Sequence, residues 1–255
     1  MTAAAPARAN YPDLAGRTVF VSGGGSGIGE AFVRAFAAQS CRVAFVDIDD
    51  AKALALAAEL GSAVRYRRCD VRDVVALRAE IAAARDAFGP VRVLVNNAAR
   101  DDRHAIEDVT PAYWDENLAI NLKHQFFAAK NVAADMKASG GGSIVNFGSV
   151  SWKLKQGGMP VYTTSKSAVQ GLTRSLARDL GPFNIRVNTL VPGWVMTEKQ
   201  IRLWLDERGR QDIARGQCIN QPLQPEHIAH MALFLAADDS AMCTAQDFVV
   251  DGGWT

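Results

Sequence analysis

Net charge is nearly absent from this chain. Its 28 lysines and arginines meet 27 aspartates and glutamates, leaving a formal +1 over 255 residues. So balanced a composition offers no electrostatic footprint for nucleic acid or an anionic membrane. Cysteine is scarce, and Cys41, Cys69, Cys218 and Cys243 form no Cys-x-x-Cys pair. They read as small buried hydrophobes in a reducing cytoplasm rather than a disulfide or zinc framework. Only four histidines occur. His227 and His230 share a helix face but have no third ligand near, so capping or surface roles are expected and no metal site. No long uncharged apolar run is present, which excludes a helical membrane span. Residues 1–12, MTAAAPARANYP, lack the apolar centre of a signal peptide and are expected to form a flexible tail.

What is present is 49% hydrophobic residues in a regular alternation of elements. Residues 13–255 suit one large α/β domain better than two small ones. An apolar run at residues 17–22 predicts a buried parallel strand. It leads into Gly23-Gly24-Gly25-Ser26-Gly27-Ile28-Gly29 and then a helical pattern with Phe32, Val33 and Phe36 on one face. Strand, glycine turn and helix form a phosphate-binding arrangement, since free N–H groups and the positive dipole end meet there. The spacing is Gly-x-x-x-Gly-x-Gly, not the general Gly-x-Gly-x-x-Gly fingerprint.

A second strand, residues 42–46, ends at Asp47. An acid there accepts from the adenosine ribose 2′-hydroxyl and repels a 2′-phosphate. Arginines such as Arg42 lie near, but none directly follows Asp47, so NAD is expected over NADP. The third strand, residues 65–69, ends at Asp70-Val71, where Asp70 either touches the cofactor or caps the helix starting near Val74. The fourth, residues 91–95, ends in Asn96-Asn97-Ala98-Ala99. These amides either tie strands together or bond a ligand. The polar loop RDDRH follows at residues 100–104. Residues 112–138 predict one long helix or two joined ones, with Asn121 on an otherwise apolar face. That amide either bends the helix or serves a proton route.

The fifth strand, residues 143–147, is followed by Ser149, and residues 160–171 read PVYTTSKSAVQG. Tyr162 and Lys166 stand four apart on one helix face. A free phenol titrates near pH 10. An ammonium about 6 Å away, at an effective dielectric of about 20, favours the phenolate by roughly 3 kcal/mol, about two pKa units. The expectation is a general base poised near working pH, with Ser149 donating to the substrate oxygen. A sixth strand, residues 185–190, leads into Pro192-Gly193-Trp194-Val195-Met196-Thr197. Residues 198–215 are charged and helix-prone, a candidate lid. A last helix spans residues 226–236 and a seventh strand residues 248–250. Strands and helices alternate throughout, so a doubly wound, Rossmann-type parallel sheet of seven strands with helices on both faces follows.

Taken together, these motifs resemble the short-chain dehydrogenase/reductase family from about Leu14 onward. The Ser22 to Gly29 turn is similar to its TGxxxGxG, and Asn96-Asn97-Ala98-Ala99 to its NNAG. The resemblance implies NAD held by Gly23, Ser26, Gly27, Ile28, Gly29, Asp47, Asp70, Val71, Asn97, Ala98, Tyr162, Lys166, Pro192, Gly193, Val195 and Thr197. It implies catalysis by Asn121, Ser149, Tyr162 and Lys166, and a homotetramer. NNAARDDRH, DVTPAYWDENLAINL and NFGSVSW further resemble the bacterial NAD-dependent aldose 1-dehydrogenases of the xylose type. Those oxidise a cyclic sugar at its anomeric carbon to a lactone. Asp101, His104, Ser149, Trp152 and Trp194 are the expected sugar contacts. The alternative is another secondary alcohol or ketone, such as a hydroxyacid, steroid or 3-oxoacyl substrate. A non-catalytic NAD-binding regulator is a third reading, against which the intact Ser149, Tyr162 and Lys166 speak.

Overall fold

Each apolar run becomes a strand of one parallel sheet, since both faces of every central strand are covered and need apolar residues. The computed structural model describes residues 9–255. Among them are β1 (Thr18–Ser22), β2 (Arg42–Asp47), β3 (Val64–Arg68), β4 (Val91–Asn96), β5 (Gly142–Phe147), β6 (Ile185–Pro192) and β7 (Asp247–Val250). All pair in parallel, in the order β3-β2-β1-β4-β5-β6-β7. The order reverses between β1 and β4, where such sheets open a crevice at the carboxyl ends of their strands.

Among the described residues the α-helices are α1 (Gly27–Ala38), α2 (Asp50–Leu60), α3 (Val74–Phe88), α4 (Pro111–Leu118), α5 (His124–Ala138), α6 (Pro160–Leu180), α7 (Glu198–Trp204), α8 (Glu207–Gly216) and α9 (Pro225–Ala236). Alternate strand residues feed two cores. Val19, Val21, Val93 and Val145 pack with Phe32 and Phe36 of α1 and Ile228 and Ala232 of α9. Phe20, Leu94 and Ile144 pack with Leu77 of α3, Val132 of α5 and Ala177 of α6. The sheet is therefore doubly wound, as its alternation predicts.

Three local expectations change and one is resolved. Residues 1–8 of the expected tail lie outside the described residues. Residues 9–12 are held: Tyr11 N–H donates to Gln39 Oε1 at 2.8 Å, and Gln39 Nε2 donates to the Ala9 carbonyl at 3.1 Å. Asp73, not Asp70, caps α3, its Oδ1 accepting from the N–H groups of Val75 and Ala76, each at 3.0 Å. The segment 112–138 takes the second of its two expected forms, two joined helices, with a π-turn at Ala119–Lys123 that contains buried Asn121 between them. Cys218 is exposed rather than buried, while Cys41 and Cys69 are buried.

A buried polar ladder sets the rotation of α6. Asn96 Nδ2 donates to Asn146 Oδ1 (2.9 Å), Asn146 Nδ2 to Thr173 Oγ1 (3.0 Å), and Thr189 Oγ1 lies 2.9 Å from the same Thr173 hydroxyl. Thr173 belongs to α6, so the sheet grips that helix through hydrogen bonds that no water competes for. Seven residues earlier on the same face stands Lys166, and four before that Tyr162.

Candidate active site

The glycine turn is shaped by contact. Gly23 and Gly27 adopt φ of +69° and +57°, which L side chains rarely take. A Cβ on Gly29 would lie 1.7 Å from the Gly23 carbonyl oxygen, so only glycine fits there. Ser26 is the N-cap of α1 but makes no side-chain cap bond, leaving the first N–H groups of the helix free for an anion. Asp47, at the end of β2, accepts from the N–H groups of Gly25 (2.8 Å), Ile48 (2.7 Å) and Asp49 (3.0 Å). A carboxylate offers about four lone-pair sites, so one remains for a ribose hydroxyl. Arg42, read as lying near Asp47, stands at the opposite end of β2. The nearer arginine is Arg68, the register partner of Asp47 on β3, and it is held by Asp50.

One cleft of about 1520 Å³ runs along the carboxyl edge of the sheet. It is lined by Gly23, Ser26, Gly27, Ile28, Gly29, Asp47, Asp70, Val71, Asn97, Ala98, Pro192, Gly193, Val195 and Thr197, and at its other end by Ser149 and Tyr162. The turn that only glycine fits, the free helix end and the carboxylate at the tip of β2 suit a dinucleotide's pyrophosphate and ribose. Asn97 Nδ2 donates to the carbonyls of Ser22 (3.2 Å) and Gly23 (2.7 Å), so both amides of the Asn-Asn pair tie strands.

Lys166 is wholly buried, and its Nζ donates to the Phe147 carbonyl at 2.8 Å. The same Nζ lies 5.7 Å from the centre of the Tyr162 ring, close to the expected spacing. The electrostatic outcome differs from expectation. Burial lowers the lysine to about 7 despite the raising influence of Asp101. Burial and then Asp101 push the phenol above its ordinary value, against a lowering hydrogen bond from Ser149 and the charge of Arg103. Desolvation penalises both charged forms and is the largest influence on each. Ser149 Oγ lies 3.0 Å from Ser151 Oγ and accepts from the Ser151 N–H at 3.2 Å, so a local turn orients it.

Asn121 anchors the loop at residues 100–104. Its Oδ1 accepts from the Arg100 N–H and its Nδ2 donates to the Arg100 carbonyl, both at 3.0 Å. Its own carbonyl accepts from Gln125 Nε2 at 2.8 Å. The side chain thus clamps the loop to the bent helix. The loop's other end is fixed by His104, whose N–H donates to the Gly158 carbonyl at 2.8 Å. The His104 ring lies within hydrogen-bond distance of Tyr113 Oη (3.0 Å) and accepts from the Val161 N–H (3.3 Å).

The expected sugar contacts divide. Asp101 and Trp194 line the cleft. Asp101 accepts from Lys199 Nζ (2.7 Å) and Gln200 Nε2 (2.6 Å), which dock α7 across the opening. Burial favours its neutral form, but those partners prevail and hold its carboxyl below the usual range. Trp194 Nε1 donates to Gln200 Oε1 at 3.0 Å. His104 is a strut outside the cleft wall. Trp152 lines a separate depression with Thr163, Thr164 and Ser167, because the short turn after β5 rotates it outward. Leu154 and Gln156, in the segment after β5, and Gln200, in the candidate lid, line the cleft, as do Met159 and Trp254, which the sequence did not single out. Their one signal was position beyond strand ends. The candidate lid is two helices, α7 and α8, with Asp206 capping the second. Among the described residues no helix is long and apolar enough to cross a membrane. His227, for its part, caps α9, its Nδ1 accepting from the Gln224 N–H at 3.0 Å.

Residues 23–255 match a family described as Enoyl-(Acyl carrier protein) reductase. The chain is 50% identical over 247 residues to "Probable galactose dehydrogenase GalD" of Rhizobium meliloti, covering 95% of this chain and 96% of that one. It is 45% identical over 247 residues to D-xylose 1-dehydrogenase of Caulobacter vibrioides, covering 96% and 98%. Among solved structures it is similar to a blue fluorescent protein from a metagenomic library in complex with NADPH. That likeness has a TM-score of 0.88 and 34% identity, covering 95% of this chain and 99% of the other.

Proposed function

Because the chain belongs to the short-chain dehydrogenase/reductase family, oxidoreductases that use a nicotinamide cofactor, we propose that it oxidises an aldose at its anomeric carbon with NAD, giving the lactone. The observation that carries the proposal is the meeting of Ser149 and Tyr162 in the cleft that begins at the glycine turn, with the buried Lys166 ammonium 5.7 Å behind the phenol ring. The sugar relatives support the substrate class. Asp47 supports NAD, since its carboxylate repels a 2′-phosphate and Arg68 beside it is already held by Asp50.

Gly23, Ser26, Gly27, Ile28 and Gly29 hold the pyrophosphate, Asp47 the adenosine ribose, and Asp70 and Val71 the adenine. Asn97, Ala98, Pro192, Gly193, Val195 and Thr197 hold the nicotinamide half. Bound NAD supplies the hydride acceptor. The Tyr162 phenolate takes the proton of the anomeric hydroxyl as the C1–H bond breaks and the carbonyl of the lactone forms. Ser149 donates to that oxygen. Lys166 holds positive charge behind the phenol, and Asn121 keeps the sugar-side loop in place. Asp101 and Trp194 meet the sugar. The active species is a homotetramer in the cytoplasm, which sedimentation and fractionation check.

A panel of pentoses, hexoses, steroids and 3-hydroxyacids with NAD and with NADP, read by absorbance of the reduced cofactor, tests the proposal. Turnover of aldoses with NAD is expected. Turnover confined to steroids or hydroxyacids would replace the aldose reading by the other-alcohol one.

A further inference from the structure

Within the sugar-side loop one cation is left without a counter-charge. Arg100 pairs with Asp102 at 3.0 Å and Glu116 at 3.3 Å, and Lys199 with Asp101 at 2.7 Å. Asp101, Asp102 and Glu116 are therefore engaged, and Arg103 has no ion pair among the described residues. It is half-buried in the wall of the cleft that Tyr162 also lines. Its guanidinium carbon sits 5.1 Å from the ring centre of Trp204 on α7, and Nη1 lies 2.8 Å from Met159 Sδ, a weak acceptor. Both ends of the loop are clamped, by Asn121 at Arg100 and by Gly158 and Val161 at His104, so the side chain is presented from a fixed base. A guanidinium has five donors, and a half-buried one with a single soft partner is poised for oxygen acceptors.

We propose that Arg103 is the substrate-positioning cation of this site: its guanidinium binds sugar oxygens next to the reacting one, and its charge favours the Tyr162 phenolate. The first half rests on the aldose reading; the second does not. The charged groups around Tyr162 are Lys166 on its own helix, Asp101 and Arg103 on the loop, and Lys199 on α7 paired to Asp101. Burial lowers the Arg103 pKa, while Asp101 and Tyr162 oppose the shift, which places the phenol within the reach of its field. Lys166 is itself pulled down to about 7, so the guanidinium, charged at every working pH, is the steadier of the two cations. Stacking on Trp204 ties the same group to α7, so sugar binding and closure of that helix meet at one side chain.

The test compares Arg103→Met, which keeps the stem but removes charge and donors, with Arg103→Lys, which keeps charge but not the fork. Two quantities are read on the full-length enzyme. One is the ultraviolet titration of the Tyr162 phenolate, taken as the difference from Tyr162→Phe. The other is the aldose KM with NAD affinity measured alongside. Arg103→Met is expected to raise the phenol's midpoint by about one pH unit and the KM by tenfold or more, with NAD affinity within about twofold. Arg103→Lys is expected to restore the midpoint and not the KM, an outcome a merely structural residue does not produce. A midpoint equal in wild type and Arg103→Met, with NAD affinity intact, overturns the charge role whatever the substrate is. An unchanged KM overturns the positioning role. Failure of the aldose reading would show separately, as wild-type enzyme that turns over no sugar.

Discussion

Replacing Lys166 by Met should stabilise the unliganded protein at neutral pH while removing its activity. The lysine is wholly buried, and its pKa falls from 10.5 to about 7 because burial disfavours the ammonium. In the unfolded chain it titrates at its ordinary value. Between pH 7 and 10.5 the unfolded state therefore binds one proton more, and unfolding free energy rises with pH by about 1.4 kcal/mol per unit. Across the window that amounts to about 5 kcal/mol. Below pH 7 the native lysine is protonated as well, and the slope from this group disappears. Lys166→Met lacks the titration altogether. It loses the bond to the Phe147 carbonyl, which costs about 1–3 kcal/mol, but that cost does not vary with pH. The difference in unfolding free energy between wild type and variant should thus shrink steadily as pH rises from 7, the wild type gaining. Urea unfolding of both proteins at a fixed protein concentration, at each pH unit from 7 to 10, measures it. Parallel stability curves over that range would refute the reasoning, since they would mean Lys166 titrates alike folded and unfolded.

Two further outcomes are expected. Tyr162→Phe should lower turnover by about a thousandfold or more while NAD binding, followed by calorimetry, stays within about threefold, because the phenol hydroxyl is the proposed proton acceptor. Asp47→Ala should raise the NADP-to-NAD ratio of kcat/KM by about tenfold, since it removes both the ribose acceptor and a charge that repels phosphate; an unmoved ratio would set aside the ribose role of Asp47.

The strands were legible because a doubly covered parallel sheet needs near-continuous apolar runs, and residues 17–22, 91–95 and 143–147 are such runs. The glycine turn was legible because backbone contact at Gly29 leaves its mark directly in composition. Trp152 and His104 were misplaced for a different reason. Both lie in irregular segments, where no periodicity tells which way a side chain turns, and a short turn at Val150–Trp152 sends the indole away from the cleft. The π-turn at Asn121 was equally hidden, since one extra residue in a helix changes hydrogen bonding without changing composition. The polar ladder through Asn146, Thr173 and Thr189 was missed because each residue, taken singly, reads as an ordinary strand or helix polar group. Only the sheet register brings the three together.

The spacing of Tyr162 and Lys166 shows how far a correct distance can carry. The predicted separation of about 6 Å is close to the 5.7 Å found from ammonium to ring centre, yet the phenol moves up rather than down. Pairwise attraction was the only influence visible in a four-residue spacing. Desolvation depends on everything packed around the pair, including Phe147 above the lysine and the engaged carboxylate of Asp101. With the lysine lowered to about 7 and the phenol raised, the pair by itself favours the protonated phenol at neutral pH. Charge on the pair then has to be stabilised by something that enters the cleft or by the fixed cation at its rim. Arg103 lines that cleft, and the charge role proposed for it ties the proton-accepting state to the loop after β4. On the proposed reading, proton transfer and substrate recognition are governed by the same few residues after β4.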